Sequence, residues 1–211
     1  MPTRFGPPLV MVLILGGLIH RAADAQIRLD VGPLVAYYAP LGTFQPDQVH
    51  STSLPGRPSE LSGIALGGHV TVWPAQRFGV QLQAASASSK AFGGGYTPGG
   101  YFPSQSAEVV TASVEVLFNL VSPRQKDRLW VGAGPGLVEH AGAAYAGVSA
   151  PTQLATVVEF GSAISLGRNL DLNLGVTTFF YNITVSAFGN TLEHGSQVDP
   201  LFRAGFSWVG P

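Results

Sequence analysis

His194-Gly-Ser196 is the stretch of this 211-residue chain whose residue types and spacing come nearest to catalysis. A serine hydrolase needs a hydroxyl nucleophile, a base within hydrogen-bond reach and an acid that orients the base. The stretch around the pair is polar and Gly-containing and reads as a loop. No acid follows at a comparable distance, and Glu193, adjacent in sequence, is badly placed to orient His194. A chance His-x-Ser in a polar loop is the simpler reading. His50 and His140 stand alone, without a second ligand at metal spacing. Gly93-Gly-Gly95 follows no buried strand and precedes no helix, so it reads as a loop tip rather than a phosphate cradle. The absence of cysteine excludes disulfides and Cys-based zinc or redox sites. No catalytic, cofactor-binding or metal-binding residue is assigned, and no cofactor is expected.

A second group of chemically capable residues lies inside apolar runs: His69, Glu115, Glu159, Asp171 and Arg203. Their neighbours say what positions them. Over Val109–Leu120, Val110, Ala112, Val114, Val116, Phe118 and Leu120 share one face, while Thr111, Ser113, Glu115 and Asn119 share the other. That strict period of two marks a strand whose sides meet different surroundings. The same alternation places Leu172 and Val176 against Asp171 and Asn173, and Phe202 and Phe206 against Arg203. Eight such strands are expected, beginning near residues 27, 61, 78, 109, 129, 154, 170 and 198.

Composition narrows the surroundings. Charged residues are 11% of the chain, against about 25% in ordinary soluble domains. The 27 Gly and 16 Pro argue against long helices. A net charge of −1 leaves no electrostatic footprint for nucleic acid. The N-terminus reads as a secretory signal: Arg4, an apolar run from Leu9 to Ile19, and Ala23-Asp-Ala25 as a small-x-small cleavage site. Cleavage after Ala25 would give residues 1–25 as signal peptide and 26–211 as a single barrel domain. No later stretch could form a membrane helix, so any membrane crossing must use strands.

The connections carry the most information. Three short ones (74–77, 122–128 and 167–169) alternate with four long ones, about 40–60, 88–106, 142–152 and 186–197. Even-stranded membrane barrels place short turns at the periplasmic end and long loops outside. Lipid offers no hydrogen bonds, so the sheet must close on itself. The apolar faces, with Val110, Val114, Phe118, Leu172, Val176, Phe202 and Phe206, then meet lipid. The polar faces, with Glu115, Glu159, Asp171, Arg203 and His69, then form a lumen network. A soluble barrel or sandwich would invert these faces. Trp73 and Trp130, beside short turns, are expected in the inner aromatic girdle, and Phe92 and Tyr96 in the outer one.

Mature length, strand number and the aromatic-ended last strand, Arg203-Ala-Gly-Phe-Ser-Trp208, resemble the small outer-membrane β-barrels of the OmpA-membrane-domain and OmpX type. Those chains end on an aromatic residue, whereas Val209-Gly-Pro211 follows Trp208 here. The resemblance implies an eight-stranded antiparallel up-and-down transmembrane barrel in the outer membrane of a diderm bacterium. It also implies insertion by the barrel-assembly machinery and no cofactor. Eight strands enclose a lumen that side chains can fill, which excludes a wide pore. The expected role is structural or surface contact through the external loops, as a monomer amid outer-membrane lipid. Two alternatives have residues behind them. His194 and Ser196 resemble the base and nucleophile of outer-membrane lipid A deacylases, and the lumen charges could line a narrow gated ion path.

Overall fold

The computed structural model describes residues 27–41, 62–91, 95–97, 100–102, 105–121, 127–142, 151–187 and 190–210. The period-two runs form β1 (Arg28–Tyr38), β2 (Gly63–Trp73), β3 (Phe78–Ala91), β6 (Gln105–Asn119), β7 (Arg128–Ala141), β8 (Thr152–Ser165), β9 (Leu170–Ala187) and β10 (Asn190–Gly210). Between β3 and β6, β4 (Gly95–Thr97) and β5 (Gly100–Phe102) make a separate two-stranded ribbon. The eight long strands close into an antiparallel barrel in the order β1-β10-β9-β8-β7-β6-β3-β2. Closure leaves none of the eight barrel strands as an edge strand.

The strand ends flanking 74–77, 120–127 and 166–169 lie at one end of the barrel, beside the start of β1 and the finish of β10. The strand ends flanking 39–62, 92–104 and 142–151 lie at the other, the loop end. The fourth connection differs from expectation. β9 and β10 stay paired from Leu170↔Trp208 up to Ala187↔Asn190, so only 188–189 separate them. Most of the stretch expected as a loop, 186–197, is therefore a ribbon, with a register shift between Thr191 and Glu193. A polar sequence such as Gly189-Asn-Thr gives no alternation to read, while the backbone ladder needs none. His194 and Ser196 accordingly lie on β10, opposite Thr184 and Asn182.

The burial pattern is that of a wall with its greasy side outward. Val114, Phe202 and Phe206 are about half exposed, and Val110, Phe118, Leu172 and Val176, on the same outward face, are half-buried. Glu115, one residue from Val114, has no exposure at all. The tryptophans depart from expectation. Trp73 and Trp130 are buried inside the barrel with their rings edge to face at 6.2 Å, rather than set in the inner aromatic girdle on the lipid-facing side. Their strand positions explain this: Trp73 shares the inward face with His69 and Thr71, and Trp130 shares it with Arg128. Glycines opposite make the room. A Cβ on Gly161 would lie 2.6 Å from Trp130 Cε2, and one on Gly79 would lie 2.9 Å from Trp73 Cε3. Phe92 lies outside the described residues, as do residues 1–25, and of Tyr96 only the backbone is described.

Candidate functional site

The inward face of each strand presents one residue in two to a space that a small barrel fills with side chains. Three polar layers result. At the turn end, Arg28 and Asp30 of β1, Arg128 of β7 and Asp171 of β9 form a closed quartet. Arg28 Nε donates to Asp30 Oδ1 at 2.9 Å and Nη2 to Asp171 Oδ2 at 2.6 Å. Arg128 Nη1 donates to Asp30 Oδ2 at 2.7 Å and Nη2 to Asp171 Oδ2 at 2.9 Å. Trp73 Nε1 adds a bond to Asp30 Oδ2 at 2.8 Å, and the Arg128 guanidinium stacks 4.9 Å from the Trp73 ring centre. Two arginines and two aspartates cancel, so burial carries no net charge here, and each carboxylate has two guanidinium partners.

The middle layer centres on Glu159 of β8 and Arg203 of β10. Arg203 Nη2 donates to Glu159 Oε1, and Nη1 donates to Gln83 Oε1 at 2.6 Å. Trp130 Nε1 donates to Glu159 Oε1 at 2.5 Å, and Gln81 Nε2 donates to Glu159 Oε2 at 2.7 Å. Thr71 Oγ1 donates to Gln81 Oε1 at 3.0 Å, fixing that amide. Glu115 of β6 accepts from Ser113 Oγ at 2.6 Å, while its Oε2 has no partner among the described residues. Glu115 also sits where the ladder breaks: β6–β7 pairing skips from Ser113↔Gly136 to Val116↔Ala133. Pro135, which lacks an N–H, faces the gap. His69 is buried on β2 with its Nδ1 unpartnered among the described residues.

Towards the loop end the lumen becomes apolar, filled by Leu34, Val138, Val157, Phe179 and Leu201. One polar chain crosses this zone. Tyr38 and Tyr181 hydroxyls each donate to Asp199 Oδ2 at 2.5 Å. His140 Nε2 lies 3.0 Å from the Tyr181 oxygen. Since Tyr181 spends its proton on Asp199, the imidazole is the donor in that contact.

The structure thus brings Glu159 and Arg203 into direct contact and places Glu115 beside them. Asp171 lies apart, with two arginines that sequence reasoning leaves out of the network. From sequence, Arg128 reads as the last residue of a charged turn. Its signal is parity, because it shares a face with Trp130 and Gly132 once β7 starts at residue 128. Arg28 and Asp30 carry the same signal, opposite Leu29 and Val31. Asp199 carries it on β10, where only the tyrosine partners leave no trace in the sequence. Of His194 only the backbone is described, and the register partners of His194 and Ser196, Thr184 and Asn182, are not acids.

No family model matches the chain, and no curated protein matches it. Solved structures do. The outer membrane protein OprG from Pseudomonas aeruginosa matches with a TM-score of 0.60 at 12% identity, over 90% of this chain and 98% of that one. A major outer membrane protein from Thermus thermophilus matches with a TM-score of 0.52 at 16% identity, over 88% and 100%. Escherichia coli Outer Membrane Protein W matches with a TM-score of 0.50 at 18% identity, over 87% and 97%. The fold is that of the small eight-stranded outer-membrane β-barrels.

Proposed function

We propose that this barrel sits in the outer membrane of a diderm bacterium and acts there by structure and surface contact rather than by catalysis or wide transport. Residues 1–25 would direct export and be removed, and residues 26–211 would be inserted by the barrel-assembly machinery as a monomer. Val110, Val114, Phe118, Leu172, Val176, Phe202 and Phe206 would face acyl chains. The connections at the loop end would face outward, where a surface ligand could meet them.

The observation that carries the reading is the pairing of an apolar outer wall with a lumen crossed by direct bonds. Arg128 and Asp30 come from strands on opposite sides of the barrel, and they touch. A solute moving along the axis would have to break that pair, the Glu159–Arg203 pair and then the apolar fill around Phe179. The wall in turn exposes Val, Leu and Phe that water would not tolerate as one continuous band.

The test is expression with the native leader. The protein should appear in the outer-membrane fraction without residues 1–25, run with heat-modifiable gel mobility, and give no stepwise conductance in planar bilayers. Recovery as a water-soluble species, or large steady currents, would overturn the reading.

A further inference from the structure

We propose that the outer wall carries a seat for one phospholipid acyl chain, an inference that rests on the reading of this wall as lipid-facing. A recess of about 570 Å3 opens on the wall across β2, β1, β10, β9 and β8. Sites that hold a single small ligand span about 300–1,000 Å3. The recess is thus the size of a ligand seat rather than a chance roughness.

The strand register explains why it forms there. Tyr37 pairs with Ile64 and with Phe202, Phe202 with Val176, and Val176 with Phe160. These outward side chains make one bulky row around the wall. The next row towards the turn end runs Val35, Ala204, Leu174 and Ser162. Ala204 and Ser162 are its small members, so the surface dips beside Phe202 and Phe160. Barrel stagger tilts both rows. Ile64 is the second residue of β2, at the loop end, whereas Phe160 lies nearer the turn-end finish of β8 than its start. The dip therefore descends obliquely through the depth of the wall, along a path that an extended chain can follow.

The lining selects hydrocarbon. Val35, Leu174, Val176, Phe160 and Phe202 supply its sides. Arg203 is the charged residue among those lining it, and its guanidinium turns into the lumen, onto Glu159 and Gln83. No described charge is thus offered to a phosphate, and what is recognised is the chain rather than the headgroup. At the loop end, Tyr37 Oη donates to Ser62 Oγ at 2.8 Å in an exposed contact. Tyrosine favours the membrane interface, so this hydroxyl pair marks where the ester end of the lipid emerges. A chain in the dip gains dispersion contacts from floor and side together, which a chain on the convex remainder of the wall lacks.

Native mass spectrometry of the full barrel released from detergent micelles, with one diacyl phosphatidylcholine added, tests the seat. The wild type should retain one lipid. Ala204→Phe fills the dip and should lose it, and Ser162→Phe should do the same if the first variant does not fold. Val116→Phe, outward on β6 across the ring, should retain it. A wild type that holds no lipid, or equal retention by all variants, would overturn the proposal. Barrel pairs that Ala204→Phe splits would overturn it too, by giving the recess to a second copy. A barrel that stays in micelles with heat-modifiable mobility yet binds no lipid removes this inference alone, whereas a water-soluble protein removes the membrane reading with it.

Discussion

Arg128 of β7 donates to Asp30 of β1 at 2.7 Å, and these strands stand on opposite sides of the eight-stranded ring. The two residues are 98 positions apart in the chain and come together only when the barrel closes. The pair therefore reports closure itself, and it makes the turn end of the lumen a crossed brace rather than a mouth.

Removing Arg128 should be severe. Arg128→Ala leaves Asp30 and Asp171 buried with Arg28 as their one guanidinium partner among the described residues, and Arg28 is part-exposed. Breaking a buried pair by deleting one partner costs about 3–5 kcal/mol. The measurement is the midpoint of urea unfolding in detergent micelles. A midpoint equal to the wild type would mean the quartet contributes nothing.

Gly161→Ala should destabilise through crowding rather than charge. The new Cβ meets the Trp130 ring at 2.6 Å, and that indole is pinned by its bond to Glu159. Overpacking of this kind costs about 1–3 kcal/mol. The double variant Gly161→Ala with Trp130→Leu should recover part of the loss, which a purely local backbone effect would not allow.

These two predictions rest on features of unequal legibility. The strand faces are readable because lumen and outer surroundings differ, which imposes a period of two on Val110–Leu120 and Leu170–Phe180. Trp73 and Trp130 mislead because their type and nearness to turns suggest an interface, although their parity with His69 and Arg128 points inward. Parity is set by the pleat and outranks composition. The upper β9–β10 ribbon is hidden for the opposite reason: Asn190–Gln197 carries no apolar alternation, and backbone pairing leaves no mark on sequence. Which lumen charges meet, Arg203 with Glu159 but Asp171 with Arg28 and Arg128, depends on barrel stagger, which no local pattern encodes.

The His194-Gly-Ser196 stretch should prove catalytically silent. Ser196 is exposed on β10, and its register partner is Asn182. Ser196→Ala should leave lipid A acylation in whole cells unchanged by mass spectrometry. Loss of a deacylated species in the variant would restore the hydrolase reading.

The outer wall should reject charge with a depth-dependent penalty. Val114→Arg places a guanidinium near the middle of an outward apolar face, where such changes cost about 2–4 kcal/mol. The same substitution at Ser88, outward and exposed near the loop end, should cost less than about 1 kcal/mol. Folding equilibria in lipid vesicles give both values, and equal costs would remove the membrane-depth argument.

The chain lacks cysteine, so a single Val114→Cys carries one fluorescent label when the protein is folded into bilayers. If the apolar face meets lipid, acyl chains brominated along their length should quench that label strongly, and a water-soluble quencher should leave it bright. Quenching from the aqueous phase, with no effect of brominated lipid, would contradict the outward orientation on which the whole account depends.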